Sequence, residues 1–113
     1  MPVISVRAAI EALGSVVPES IKRELSVDEI QYSGEIVVAA SQTETVAFTQ
    51  ITTATFVFFR FNSAITYKLN GGSDDIVVAS GGFVLMFNCS VTALSITETA
   101  AAEMRLEVML GGT

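Results

Sequence analysis

The sequence predicts a single antiparallel all-β domain, a jelly-roll-like β-sandwich with a short N-terminal helix or arm. Three observations carry this expectation. Seven to nine short strand-like runs follow one another at roughly ten-residue spacing, with turn signals between them, the signature of a sandwich or barrel. Nothing between the runs supplies the crossover helices that a parallel sheet needs. The length, 113 residues, suits one core, since single domains usually hold roughly 100–150 residues.

The first nineteen residues differ in kind and contain both prolines, Pro2 and Pro18. Ser5–Leu13 places Val6, Ile10 and Leu13 on one helical face, and Gly14 could close the helix. The same stretch also reads as an extended arm. Residues 1–19 are therefore expected to form the helix or arm, and residues 20–113 the sandwich. From Ser20 the pattern is β. Ile36-Val37-Val38 follows Gly34, and Thr45–Thr49 sets Val46 and Phe48 on one side. Ala54–Phe61 is dense in aromatics. Ile65, Tyr67 and Leu69 alternate with Thr66, Lys68 and Asn70, a half-buried strand. Asn70-Gly71-Gly72-Ser73 is a turn whose glycines supply positive φ. Ile76–Ala79, Phe83–Cys89, Leu94–Thr97 and Met104–Leu110 complete the strands. Ser80-Gly81-Gly82 reads as a second hairpin turn, and Asp28-Glu29 and Glu35 fall around another turn.

Two strands are apolar on both faces. Ala54–Phe61 carries Thr55, Val57, Phe59 and Phe61 on one face and Ala54, Phe56, Phe58 and Arg60 on the other. Phe83–Cys89 carries Phe83, Leu85, Phe87 and Cys89 opposite Val84, Met86 and Asn88. An isolated sandwich needs one apolar face per strand. The second face must be covered by the chain's own N-terminal segment, by a neighbouring subunit, or by both. Composition points the same way. Half the residues are hydrophobic and only 16% are charged, against about 25% in an ordinary domain. Such an excess marks interaction surface. Phe56, Phe58 and Arg60 are the expected lateral contacts, with Arg60 snorkelling to water or meeting a carboxylate of another subunit. Val3, Val6, Ile10 and Leu13 are the expected anchors of the N-terminal segment.

The chain offers little for catalysis. It has no histidine, which removes Ser-His and Cys-His pairs and the commonest metal ligand. It also argues against a metal-binding cupin, the usual enzymatic use of a small jelly-roll. The single cysteine, Cys89, can form no internal disulfide or cysteine metal cluster and is expected as a small buried hydrophobe. Gly71-Gly72 and Gly81-Gly82 lack the lysine and helix of a phosphate loop. Asp74-Asp75 does not match calcium-loop spacing and reads as a solvated tip. Lys22-Arg23-Glu24 reads as a solvated strand face or edge protection. No catalytic, cofactor-binding or metal-ligating residue is assigned, and no enzyme activity is expected. A net charge of −6 disfavours nucleic acid and anionic membranes as partners. Met1–Gly14 lacks a basic start, a long apolar stretch and a small-residue cleavage site, so no signal peptide is expected.

Phe56–Thr113 resembles the small β-sandwich virion proteins of tailed bacteriophages, of the decoration, cement or accessory tail and fibre type. The resemblance rests on strand Ile65–Leu69 running into Asn70-Gly71, the glycine-led apolar strand Gly82–Phe87, the polar strand Val91–Thr97, and a last strand closing on Leu110-Gly111-Gly112. It implies a non-enzymatic structural protein, made in a host cytoplasm and destined for the virion. Its partners would be copies of itself, a trimer being one closure, and other virion proteins. The alternative expectation is a carbohydrate- or receptor-binding sandwich, disfavoured because there is no tryptophan and only Tyr32 and Tyr67 as tyrosines.

Overall fold

The computed structural model describes residues 3–10 and 19–113. Their secondary structure is ten strands: β1 (Val3–Ile10), β2 (Glu19–Ser26), β3 (Glu29–Val38), β4 (Thr43–Thr45), β5 (Ala54–Phe61), β6 (Ile65–Leu69), β7 (Ile76–Val78), β8 (Gly82–Val91), β9 (Leu94–Glu98) and β10 (Met104–Gly112). Strands β3 to β10 make two four-stranded sheets, ordered β3-β10-β5-β8 and β4-β9-β6-β7, with every pairing antiparallel. Consecutive strands alternate between sheets except at the β6–β7 hairpin. This interleaving is the jelly-roll, two Greek keys folded over each other.

Alternation along each strand creates the core between the sheets. Val57, Phe59, Phe61, Ile65, Tyr67, Ile96, Leu106 and Val108 meet there, and Phe59 stacks its edge against Tyr67 with ring centroids 5.2 Å apart. The expected faces of β5 and β8 hold only in part, because both strands are irregular. The register shifts between Ala54 and Phe56, so Ala54 joins Val57 and Phe59 in the main core. In β8 the irregularity falls at Asn88, whose φ is 52°, and it turns Cys89 to the face of Val84 and Met86. Cys89 is half-buried, with its thiol 3.6 Å from the Ala54 carbonyl, and burial pushes its pKa up.

Several local expectations change. Glu35 lies inside β3 and not at a turn: Ser33-Gly34 is a bulge opposite Val108, with Gly34 at φ 68°. The Ser33 hydroxyl repairs the ladder by accepting from the Val108 N–H at 3.0 Å. Asn70-Gly71 forms the expected hairpin turn, with positive φ at both residues and the Gly72 N–H donating to Leu69. Gly81-Gly82 is not a hairpin, because β7 and β8 belong to different sheets. Gly81 is required there because a Cβ would strike the backbone of Asn62.

The N-terminal segment is a strand over Val3–Ile10, where a helix over Ser5–Leu13 or an extended arm was expected; residues 11–13 of that stretch lie outside the described residues. It pairs with β2 in register from Val3↔Ser26 to Ile10↔Glu19. Leu13, the last of the expected anchors, lies outside the described residues. The base of this hairpin rests on the outer face of the β3-β10-β5-β8 sheet, where Ile4, Val27 and Phe56 form a second buried cluster. Gly111 leaves the space that the Ile4 side chain occupies.

Candidate functional site

The outer face of the β3-β10-β5-β8 sheet is a series of rows set by strand register. The first row runs Ile30–Gly111–Phe56–Phe87 and lies in the second cluster with Ile4 and Val27. The next runs Tyr32–Met109–Phe58–Leu85. Beyond it comes Glu35–Glu107–Arg60–Phe83. The face thus passes from covered and apolar, through open and apolar, to charged.

An open groove of about 500 Å³ occupies the middle of this face. Ile4 and Val6 of β1 form one wall, Phe56, Phe58 and Met109 the floor, Phe83 and Leu85 the other wall, and Arg60 stands at the end. Phe83 is 64% exposed, and its ring lies 6.1 Å from that of Phe58. Tyr32, at the far side of the sheet, is also exposed, and its hydroxyl donates to Glu107 at 3.3 Å.

The structure brings Val6, Phe56, Phe58 and Arg60 together, four of the residues the sequence points to. Phe56 is 2% exposed, so it is covered by its own chain and is not a free lateral contact. Arg60 meets a carboxylate, but one of its own chain: it pairs with Glu107 at 2.8 Å. Glu35 and Glu107 stand directly opposite each other across the ladder, an arrangement that repels. Arg60 on Glu107 and Arg105 on Glu35 neutralise it. Both pairs are substantially exposed, so each contributes at most about 1 kcal/mol. Val3 is exposed, and Ile10 is placed in β1 only by its backbone. Phe83 and Leu85 were read from sequence as part of an apolar face of their strand, but neither they nor Ile4 and Met109 were named as contacts; that the four share one groove is visible only once neighbouring strands are known.

One buried charge lies at the opposite kind of place. Glu98, at the end of β9, is 1% exposed. Its carboxylate accepts from Ser41 N–H at 2.9 Å, Ser63 Oγ at 2.7 Å, Ala100 N–H at 2.6 Å and Ala102 N–H at 3.1 Å. These bonds, the one from Ser41 foremost, hold its pKa down at about 2 although burial alone would raise it. Both carboxylate oxygens are engaged by the loops, so Glu98 clamps them together. Among the described residues, no three His, Cys, Asp or Glu side chains converge as metal donors.

No protein-family model matches the chain, and no curated protein sequence matches it. The fold is similar to that of the cupin domain of Schizosaccharomyces pombe Cnp3, with a TM-score of 0.50 over 96% of this chain and 88% of that one. Sequence identity is 9%, so the likeness is one of fold.

Proposed function

We propose that the chain is a non-enzymatic structural subunit that works by docking, and that it serves in a bacteriophage virion as a decorating or connecting component. The observation that carries the docking reading is the groove: an apolar floor of Phe58 and Met109, left open beside the hairpin and walled by an exposed Phe83. Exposed apolar surface of this kind is costly unless a partner covers it. The virion setting is supported by the resemblance of Phe56–Thr113 to phage sandwich proteins. Absence of turnover is supported by a chain without histidine, whose buried carboxylate is fully engaged by loop donors.

The test uses particles purified from cells producing the phage that encodes the chain. The chain is expected in those particles at a fixed copy number. Its absence from particles while it is abundant in the lysate would overturn the virion setting. A Phe58→Asp variant is expected to keep the β signal in circular dichroism and to drop out of the particle. Full incorporation of a folded Phe58→Asp variant would exclude the groove as the docking surface.

A further inference from the structure

Four strands end the two large sheets: β3 and β8 in one, β4 and β7 in the other. An edge strand presents a row of unpaired N–H and C=O groups, and proteins blunt such rows with brevity, charge or bulges. Three of these four edges are blunted. Strands β4 and β7 are three residues each, and Asp74-Asp75 stands just ahead of β7. Strand β3 carries Glu29 and Glu35 and is bent by the bulge at Ser33-Gly34.

Strand β8 has none of these devices over its first half. Gly82–Val91 contains no charged residue and no proline. Gly82–Phe87 runs in unbroken register with β5, from Phe61↔Gly82 to Phe56↔Phe87, before the irregularity at Asn88. Among the described residues, β8 pairs with β5 alone. Four of its apolar side chains are left half-covered, two on each face. Val84 and Met86 pack partly on the main core, Leu85 and Phe87 partly on the second cluster. One strand inward, Val57 and Phe59 are fully buried. Val57 and Phe59 have a paired strand on each side, whereas among the described residues β8 has one on a single side.

We propose that Gly82–Phe87 pairs antiparallel with the same edge of a second copy, joining two four-stranded sheets into one across a two-fold axis. The composition of the segment selects the occupant. Copies of a chain with net charge −6 repel one another, and β8 is the long edge where no charge meets its own image. An isologous contact sets a segment against itself. Phe83-Val84-Leu85-Met86-Phe87 is complementary to itself, because apolar side chains face apolar ones throughout. The seam would cover Phe83 and set two grooves side by side. The contact is distinct from docking in the groove, and either can hold without the other.

The experiment is light scattering after size exclusion over a range of concentrations, combined with amide hydrogen exchange, on the full chain and two variants. Phe83→Lys places a cation at an exposed position of the edge, so the fold is retained, and circular dichroism verifies this. Val77→Lys does the same on β7, where Val77 is 71% exposed, and serves as the control. The parent and Val77→Lys are expected as two copies with β8 amides protected, and Phe83→Lys as one copy with those amides exchanging. A monomer throughout, a trimer, or a dimer whose β8 amides exchange as freely as those of a monomer overturns the proposal. A monomeric chain that still enters particles would remove the β8 seam and leave the proposed function standing.

Discussion

Glu98 accepts hydrogen bonds from three separate connections: Ser41 between β3 and β4, Ser63 between β5 and β6, and Ala100 and Ala102 between β9 and β10. A carboxylate can accept from all four donors, whereas an amide turns two N–H groups toward them. Glu98→Gln is therefore expected to lower the melting temperature at neutral pH. The pH dependence has a definite sign. Because folding lowers this pKa, the charged side chain stabilises the native state fully above the ordinary glutamate value near 4.5, and the contribution fades as pH falls toward about 2. The gap in melting temperature between parent and variant should thus be widest at neutral pH and close across that acid interval. A gap that stays constant in acid would mean that the charge of Glu98 contributes nothing to stability. The residue was not legible beforehand, since Thr97-Glu98-Thr99 looks like the wet end of a strand. Its role depends on loops that lie up to 57 positions away.

At the scale of elements, regular alternation was legible and long-range pairing was not. Ala54–Phe61 and Ile65–Leu69 appear with the bounds the pattern suggests, because half-buried strands write their two faces directly into the chain. The apolar second face of β5 was legible as well, and the structure shows that the chain's own hairpin covers its Phe56 end. The N-terminal strand was not resolved from a helix. Val6 and Ile10 are four apart and suit a helical face, but Ile4, Val6, Ala8 and Ile10 suit a strand equally well. The partner that decides between them, Glu19–Ser26, lies beyond any local window. The bulges at Ser33-Gly34 and Asn88 exchange faces mid-strand, which simple alternation cannot anticipate. The hairpin also yields a prediction. A lone two-stranded ribbon is marginal in water, so β1–β2 depends on Ile4 docking beneath the sheet. Ile4→Ala should cost the docked hairpin about 2 kcal/mol, the low end for such a truncation. Amide exchange in β1 and β2 should then quicken roughly thirtyfold, while β10 keeps its rate. Equal acceleration in both would show that hairpin and sandwich open as one unit.

For the whole molecule, the decisive feature is the position of β10, tenth in chain order yet central in its sheet, between β3 and β5. It supplies Met104, Leu106, Val108 and Leu110, all at most 1% exposed. Four such side chains represent roughly 6–12 kcal/mol of burial, comparable to the whole stability of a domain at about 5–15 kcal/mol. A chain stopped after Glu103 is expected to show no cooperative melt, and a cooperative melt with native-like β signal would contradict the central role of this strand. The same placement governs the chain's behaviour while it is being made. Strand β3 and the β5–β8 pair leave the ribosome before the strand that joins them, and the β1–β2 hairpin, which precedes them, docks beside Gly111. Until Met104–Gly112 emerges, the nascent protein holds every strand of the β4-β9-β6-β7 sheet but only the parts of the other, whose apolar faces stay open. Folding of the sandwich therefore waits on translation of Met104–Gly112, and the interval before that is when a chaperone has most to protect.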